Sequence, residues 1–341
     1  MRRRSLYFLE PYRVGLREEA LPPPEPGQLL LRTLVSAISS GTELLLYRGQ
    51  VPPDMAADLT IPALSGRLVF PCKYGYSLVA EVVEAGSLPL AGWEGKRVFA
   101  FHPHEDYFVA YPEELVPLPS EVAPEDAVFL ANMETAVTLA LDGHPLIGEK
   151  VVVFGQGIVG LLLTSLLARF PLTCLVTLEP LPSRRLTSET VGAQLALDPL
   201  APEALERLRR ILQGEGSDWG ADLTYEVSGN PAALELALAI TGFSGRLVIG
   251  SWYGTKRAEL NLGGEFHRKR QVLLSSQVST VAPKLRGRWN KARILQTAWE
   301  WVKEIKPSRF ITYRFPLDQA GPAYELLDQH PETALQVILT Y

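Results

Sequence analysis

Residues 150–180 constrain the fold more than any other part of this chain. Val151-Val152-Val153-Phe154 is wholly apolar, the pattern of a strand buried on both faces. Gly155-Gln156-Gly157-Ile158-Val159-Gly160 follows at once and matches G-x-G-x-x-G. From Ile158 the chain reads as an apolar helix that Pro171 stops, and Cys174-Leu175-Val176-Thr177-Leu178 reads as a second buried strand. Glu179 stands at the end of that strand, about 20 residues beyond the last glycine. Strand, glycine turn, helix, strand and acid in this register predict a βαβ unit in a parallel sheet.

Each part has a physical task. Gly155 permits the tight turn out of the strand, Gly157 lets backbone approach a pyrophosphate, and Gly160 lets helix and strand pack closely. The amides of Ile158 and Val159 open the helix, where the dipole favours an anion. Gln156 lies within the same turn. Glu179 is placed to accept from an adenosine ribose and to repel a 2′-phosphate, which favours NAD. Ser183, Arg184 and Arg185 follow it and are able to hold that phosphate, which leaves NADP open. Ser228, Gly250 and Ser251 end later strands, at the edge where such sheets bind ligands. The alternative is a glycine-rich strand–helix turn with no nucleotide.

The rest of the chain supports an α/β protein of two parts. Before residue 120 it is rich in Pro and Gly, with strand candidates at 28–35, 76–83 and 97–101. Residues 124–141 read as one helix, after which strands and helices alternate. Helices are expected at 202–212, 232–240, 291–305 and 319–329, and strands at 223–227, 246–250, 271–274, 309–314 and 334–340. No apolar run reaches the length of a membrane span, and the run after Arg2-Arg3-Arg4 is too short for a signal core, so a cytoplasmic location is expected. The net charge of -5 argues against nucleic-acid affinity. Cys72 and Cys174 are too few for a disulfide framework or a four-cysteine zinc lobe. Residues 266–299 contain no Asp or Glu but eight Lys and Arg. They form either a solvated basic face or a patch that steers an anionic substrate.

Several further motifs carry a resemblance. Gly95-Lys96-Arg97-Val98, Ser228-Gly229-Asn230-Pro231 and Phe315-Pro316-Leu317-Asp318 are similar to segments of the medium-chain dehydrogenase/reductase superfamily, which includes the alcohol dehydrogenases. Ala37-Ile38-Ser39-Ser40-Gly41-Thr42-Glu43 and Tyr74-Gly75-Tyr76-Ser77 resemble its bacteriochlorophyllide dehydrogenase-like and threonine dehydrogenase-like members. The resemblance spans nearly the whole chain. It implies a GroES-like β-barrel domain from residues 1–123 and 277–341, and a Rossmann doubly wound parallel-sheet domain from 124–276. It also implies a homodimer that acts on a small molecule. Ser228, Gly250 and Ser251 would lie along the ribose and nicotinamide, with Thr135 and Thr138 near the nicotinamide face.

The zinc-dependent members carry Cys-Gly-Thr/Ser-Asp and Gly-His-Glu. Here the matching segments are Ser40-Gly41-Thr42-Glu43 and Gly75-Tyr76-Ser77, so serine and tyrosine replace two ligands. A branch without the usual zinc is therefore expected, with no metal site. The competing expectation is a metal rebuilt from His102, His104 and Glu134, against two loop histidines and a capping acid. Thr42 matches the family's proton-relay hydroxyl, and Tyr76 brings a phenol to the former histidine position. With Glu43 they are the candidate catalytic residues. Their alternatives are a helix N-cap for Thr42, with Glu43 in its first turn, and a half-buried strand aromatic for Tyr76. The expected activity is zinc-independent hydride transfer between a nicotinamide and a secondary alcohol or ketone, bulky and anionic if the basic segment steers it. Quinone or enone reduction, or nucleotide sensing without catalysis, are the alternatives.

Overall fold

The computed structural model describes residues 1–52, 54–214 and 219–341. In chain order these form β1 (Arg2–Glu10), β2 (Arg13–Ala20), β3 (Leu29–Ala37), α1 (Glu43–Tyr47), β4 (Leu78–Ala85), β5 (Arg97–Ala100), β6 (Tyr107–Ala110) and β7 (Leu115–Pro117). There follow α2 (Pro124–Ala127), α3 (Leu130–Gly143), β8 (Lys150–Phe154), α4 (Ile158–Leu167), β9 (Cys174–Leu178), α5 (Pro182–Thr190), β10 (Leu195–Leu197) and α6 (Ala204–Ile211). The remainder comprises β11 (Ala221–Glu226), α7 (Ala232–Ile240), β12 (Thr241–Ile249), β13 (Val272–Ser275), α8 (Lys291–Ile305), β14 (Ile311–Pro316), α9 (Ala320–Gln329) and β15 (Gln336–Thr340).

These elements make two compact units. The first is Met1–Ala131 with Val302–Tyr341, and the second is Asn132–Trp301. The divisions fall inside α3 and α8, later than the boundaries after residues 123 and 276 expected from sequence. Pro124 marks the start of a helix and not a change of unit. The segment after residue 276 is tied into the second unit by Lys284 Nζ, which donates to the Asp142 carbonyl at 3.0 Å, and by Lys291 paired with Glu134.

The second unit is a six-stranded parallel sheet in the order β10-β9-β8-β11-β12-β13. Numbered within the unit this is 3-2-1-4-5-6, the doubly wound Rossmann order. Its switch point lies between β8 and β11, the strands that Gly155 and Ser228 follow. Val152, Phe154, Val176, Leu178, Leu234, Ala237 and Leu247 share one core, which explains the unbroken apolar runs. In α4 all but one residue are buried, as its all-round apolar sequence requires.

The first unit is built on a seven-stranded sheet in the order β14-β15-β3-β4-β5-β7, with β6 also pairing β3, and a separate β1–β2 hairpin. Except for the parallel pair β14–β15 its pairings are antiparallel, the GroES-like arrangement. Leu29 and Leu31 of β3 and Leu78, Ala80 and Val82 of β4 face one core with the period of two of a strand. Residues 124–141, expected as one helix, are two. The first ends at Val128, and the Asp126 carboxylate is drawn off to the Ser308 amide at 2.8 Å.

Candidate functional site

In the second unit, the glycine turn joins β8 to α4 at the carboxyl edge of the sheet. Gly155 has φ +88°, and a Cβ there would lie 2.6 Å from Ser228 Cα. A Cβ on Gly160 would lie 2.0 Å from the Gly155 carbonyl oxygen. Both glycines are required by the protein's own packing. Gly157 differs: it has φ −68°, and a Cβ on it would meet only Arg184 Nη1, at 4.0 Å. Among the described residues nothing comes closer than Arg184 to the space that this bare α-carbon leaves, so the turn is open to a ligand. The Ile158, Val159 and Gly160 amides in the first turn of α4 have no acceptor within the helix.

Acidic side chains brace this edge. Glu179, 4% exposed, accepts from the Gln156 amide at 2.7 Å and the Leu181 amide at 3.1 Å. Gln156 is buried, its side chain held by the Gly155 carbonyl at 2.9 Å and by the Thr164 hydroxyl at 3.0 Å. It supports the turn and does not face a ligand, which corrects its assignment as a contact. Glu226, which the sequence reading missed, accepts from the Ser228 amide at 2.7 Å and from the Ser228 and Tyr253 hydroxyls. Ser251 Oγ accepts from the Gly229 amide at 2.9 Å. Leu139 fills the space beside Gly250, where a Cβ would lie 2.6 Å from Leu139 Cδ2. Thr138, next to it on α3, has a buried hydroxyl with no hydrogen-bond partner among the described residues. Arg184 lies half-buried over the turn. Burial pushes its guanidinium below the ordinary value while the Glu179 charge pulls it back. Arg185 is engaged by the carbonyls of Glu179 at 2.7 Å and Pro180 at 2.6 Å.

In the first unit, Tyr76 and the loop after β3 form a hydroxyl cluster. Tyr76 OH donates to Ser39 Oγ at 2.5 Å and lies 3.3 Å from Thr42 Oγ1. Thr42 occupies the N-cap of α1, yet its side chain makes no capping bond and faces Tyr76. Burial raises the Tyr76 phenol above its ordinary value, with the Ser39 and Thr42 hydroxyls opposing, so it stays protonated at neutral pH. Glu43 is fully buried beneath the cluster, so it supports the hydroxyls and does not itself face a ligand. Ser39 is a member that the sequence reading missed, although it begins the hydroxyl run Ser39-Ser40-Gly41-Thr42.

No family model matches the chain. It is 25% identical over 348 residues to an uncharacterized zinc-type alcohol dehydrogenase-like protein of Escherichia coli (strain K12), covering 92% of each chain. It is 22% identical over 330 residues to the D-guloside 3-dehydrogenase of the same organism, covering 92% of this chain and 93% of the relative. Over most of its length the chain is similar to dehydrogenases of the medium-chain, alcohol dehydrogenase-like superfamily. It is an oxidoreductase of the nicotinamide-dependent, alcohol dehydrogenase-like kind. A crystal structure of an alcohol dehydrogenase of E. coli CFT073 complexed with NADH has the same fold, with TM-score 0.80 at 17% identity over 100% of this chain and 99% of that one.

The residues available for zinc do not fit the ion. Ser40 and Tyr76 stand where the superfamily's motifs place ligands. His102 Nε2 is 2.6 Å from Glu105 Oε1, and its ring stacks on Phe108. His104 has both nitrogens engaged, with Glu43 Oε2 at 3.0 Å and Ser36 Oγ at 2.7 Å. Glu134 is buried and paired with Lys291; burial raises its carboxyl and Lys291 pulls it down. Among the described residues no three His, Cys, Asp or Glu side chains gather as a set for a metal ion. Also among them, no helix is long and apolar enough to cross a membrane.

Proposed function

We propose that the chain interconverts a secondary alcohol and its ketone without a catalytic zinc, with NAD as the preferred nucleotide. When bound, the nicotinamide supplies the hydride chemistry, and the protein supplies orientation and electrostatics. The glycine turn and the first-turn amides of α4 are suited to hold the pyrophosphate. Glu179 keeps a second lone pair on each oxygen for a ribose, and the Thr138 hydroxyl is free to satisfy an amide. Ser228 and Ser251 line the same edge of the sheet.

The observation that carries the zinc-free reading is the Tyr76–Ser39–Thr42 cluster, a phenol at the former position of a ligand, hydrogen-bonded to two hydroxyls. In the direction of reduction, Tyr76 donates a proton to the carbonyl oxygen and recovers it through Ser39 and Thr42. In the direction of oxidation, it takes the alcohol proton. Its raised pKa makes it a donor at neutral pH, so oxidation should climb with pH through and beyond pH 10. The sugar substrate named for the guloside relative suits a polyol-like alcohol. The acid-free segment that bears Arg286, Arg288 and Arg293 suits an anionic one. The free edge of β13 suits pairing with a second copy, in the cytoplasm.

The test is a panel of secondary alcohols and ketones followed by NADH and NADPH absorbance. Tyr76→Phe should lower kcat by roughly 10²-fold or more while leaving the NADH Kd unchanged. Full activity in Tyr76→Phe would refute the assigned role.

A further inference from the structure

We infer that His104 and Glu43 form a buried positioning pair that fixes both halves of the hydroxyl cluster, an inference that rests on the catalytic reading of Tyr76 given above. The cluster joins two separate segments. Ser39 and Thr42 lie between β3 and α1, and Tyr76 lies just before β4. Their hydroxyls meet at 2.5 and 3.3 Å only if both segments are held from beneath.

His104 touches both. On one side, Gly75 has φ +122°, and a Cβ there would lie 2.7 Å from both Cδ2 and Nε2 of the imidazole. The backbone that leads into Tyr76 therefore rests directly on the ring. On the other side, His104 Nε2 donates to Glu43 Oε2 at 3.0 Å, since a carboxylate only accepts. Glu43 Oε1 accepts the Ser39 amide at 2.8 Å, and the Glu43 amide donates to the Ser39 carbonyl, also at 2.8 Å. Glu43 thus grips Ser39 at two points and directly follows Thr42. Tyr324 OH also donates to Glu43 Oε2. Ser36 Oγ, itself 2.7 Å from Tyr341 OH, fixes the plane of the imidazole through Nδ1.

Stability alone does not account for this arrangement. Glu43, His104, Ser36 and Tyr324 have no solvent exposure. Buried polar pairs, even ionic ones, are often replaceable by apolar side chains of similar volume without loss of stability. What apolar packing cannot supply is the directed hold on the Ser39 amide and on the backbone under Tyr76. The pair also explains the occupation of His104, whose nitrogens are committed to this support and not to a metal.

Two measurements test the inference. The first is a double-mutant cycle on kcat with Glu43→Gln, His104→Asn and Tyr76→Phe. Glu43→Gln and His104→Asn should each lower kcat by at least about tenfold, because small misplacements of a reacting group are costly. In the Tyr76→Phe background either should cost less than about twofold, since the group that they position is gone. Effects that simply multiply would mean general damage and overturn the inference. An inactive phenotype confined to the Glu43 and His104 variants, with Tyr76→Phe fully active, would refute the catalytic reading instead. The second measurement needs no substrate and keeps the positioning claim testable in that case. In protein carrying ¹³Cζ-labelled tyrosine, the Tyr76 line is assigned by its loss in Tyr76→Phe. The line should be single in the native chain and should split or broaden in Glu43→Gln, and in the milder Tyr324→Phe. A Tyr76 line unchanged in both variants would overturn the positioning role.

Discussion

The nucleotide turn and the hydroxyl cluster are built by opposite means. The turn is one short stretch of backbone, in which three glycines and a strand-end acid do the work within residues 155–179. The cluster is made of side chains drawn from far apart: Tyr76 meets Ser39 across 37 positions, His104 meets Glu43 across 61, and Tyr324 meets Glu43 across 281. Backbone geometry must be written locally, since only glycine tolerates it. A side-chain cluster is written in pieces that tertiary packing later brings together. The first kind of site should fail through sterics, and the second through lost hydrogen bonds and charge.

Gly155→Ala should have the largest effect on stability, about 3 kcal/mol, since it combines a positive φ with a 2.6 Å collision at Ser228 Cα. Chemical denaturation reads this directly. A loss below about 0.5 kcal/mol would mean that the turn is more plastic than the packing allows.

Acid should act on the first unit, because that unit depends on buried charge. Burial alone would raise the Glu105 carboxyl, but His102, by hydrogen bond and charge, with Lys73 and Arg3, holds it down at about 2 against an ordinary 4.5. The depressed value means that the stabilisation, on the order of 3 kcal/mol, is complete above about pH 4.5 and is lost as the pH falls toward 2. Denaturant melts between pH 7 and pH 2 should show this slope, and Glu105→Gln should flatten it.

Gly157→Ala sharpens the contrast within the turn itself. Its Cβ enters open space at φ −68°, so stability should stay within about 0.5 kcal/mol of native. The NADH Kd should nevertheless rise at least about tenfold, because the methyl occupies the ligand's approach. Equal losses of stability in Gly157→Ala and Gly155→Ala would erase the distinction. The smallest effect is expected at Arg184. Arg184→Ala should change the NADH Kd by only about threefold, as for a partly exposed charge. A far larger loss of NADPH than of NADH binding would assign that arginine to a 2′-phosphate.

The same contrast explains what the sequence made legible. The strands around the turn, the helices at residues 232–240 and 291–305, and the parallel sheet followed from apolar runs and punctuation. The β1–β2 hairpin did not, because its charged residues look like a solvated terminus until Arg3 is seen beside Glu19 and Glu105. Thr42 and Tyr76 were found through motifs shared with the superfamily. Ser39 and Tyr324 were not, and His104 was singled out only as a candidate metal ligand, since nothing local says that an imidazole some thirty residues beyond Tyr76 lies under Gly75. Gln156 was misassigned because a motif position does not reveal which way a side chain turns, and here it turns inward to Thr164.

The most direct test of zinc-free catalysis by the hydroxyl cluster is metal analysis of the purified protein, joined to turnover of a secondary alcohol with NAD before and after a zinc chelator. The account predicts far less than one zinc per chain and unchanged turnover after chelation. One zinc per chain, with activity lost on its removal and restored on its return, would contradict it.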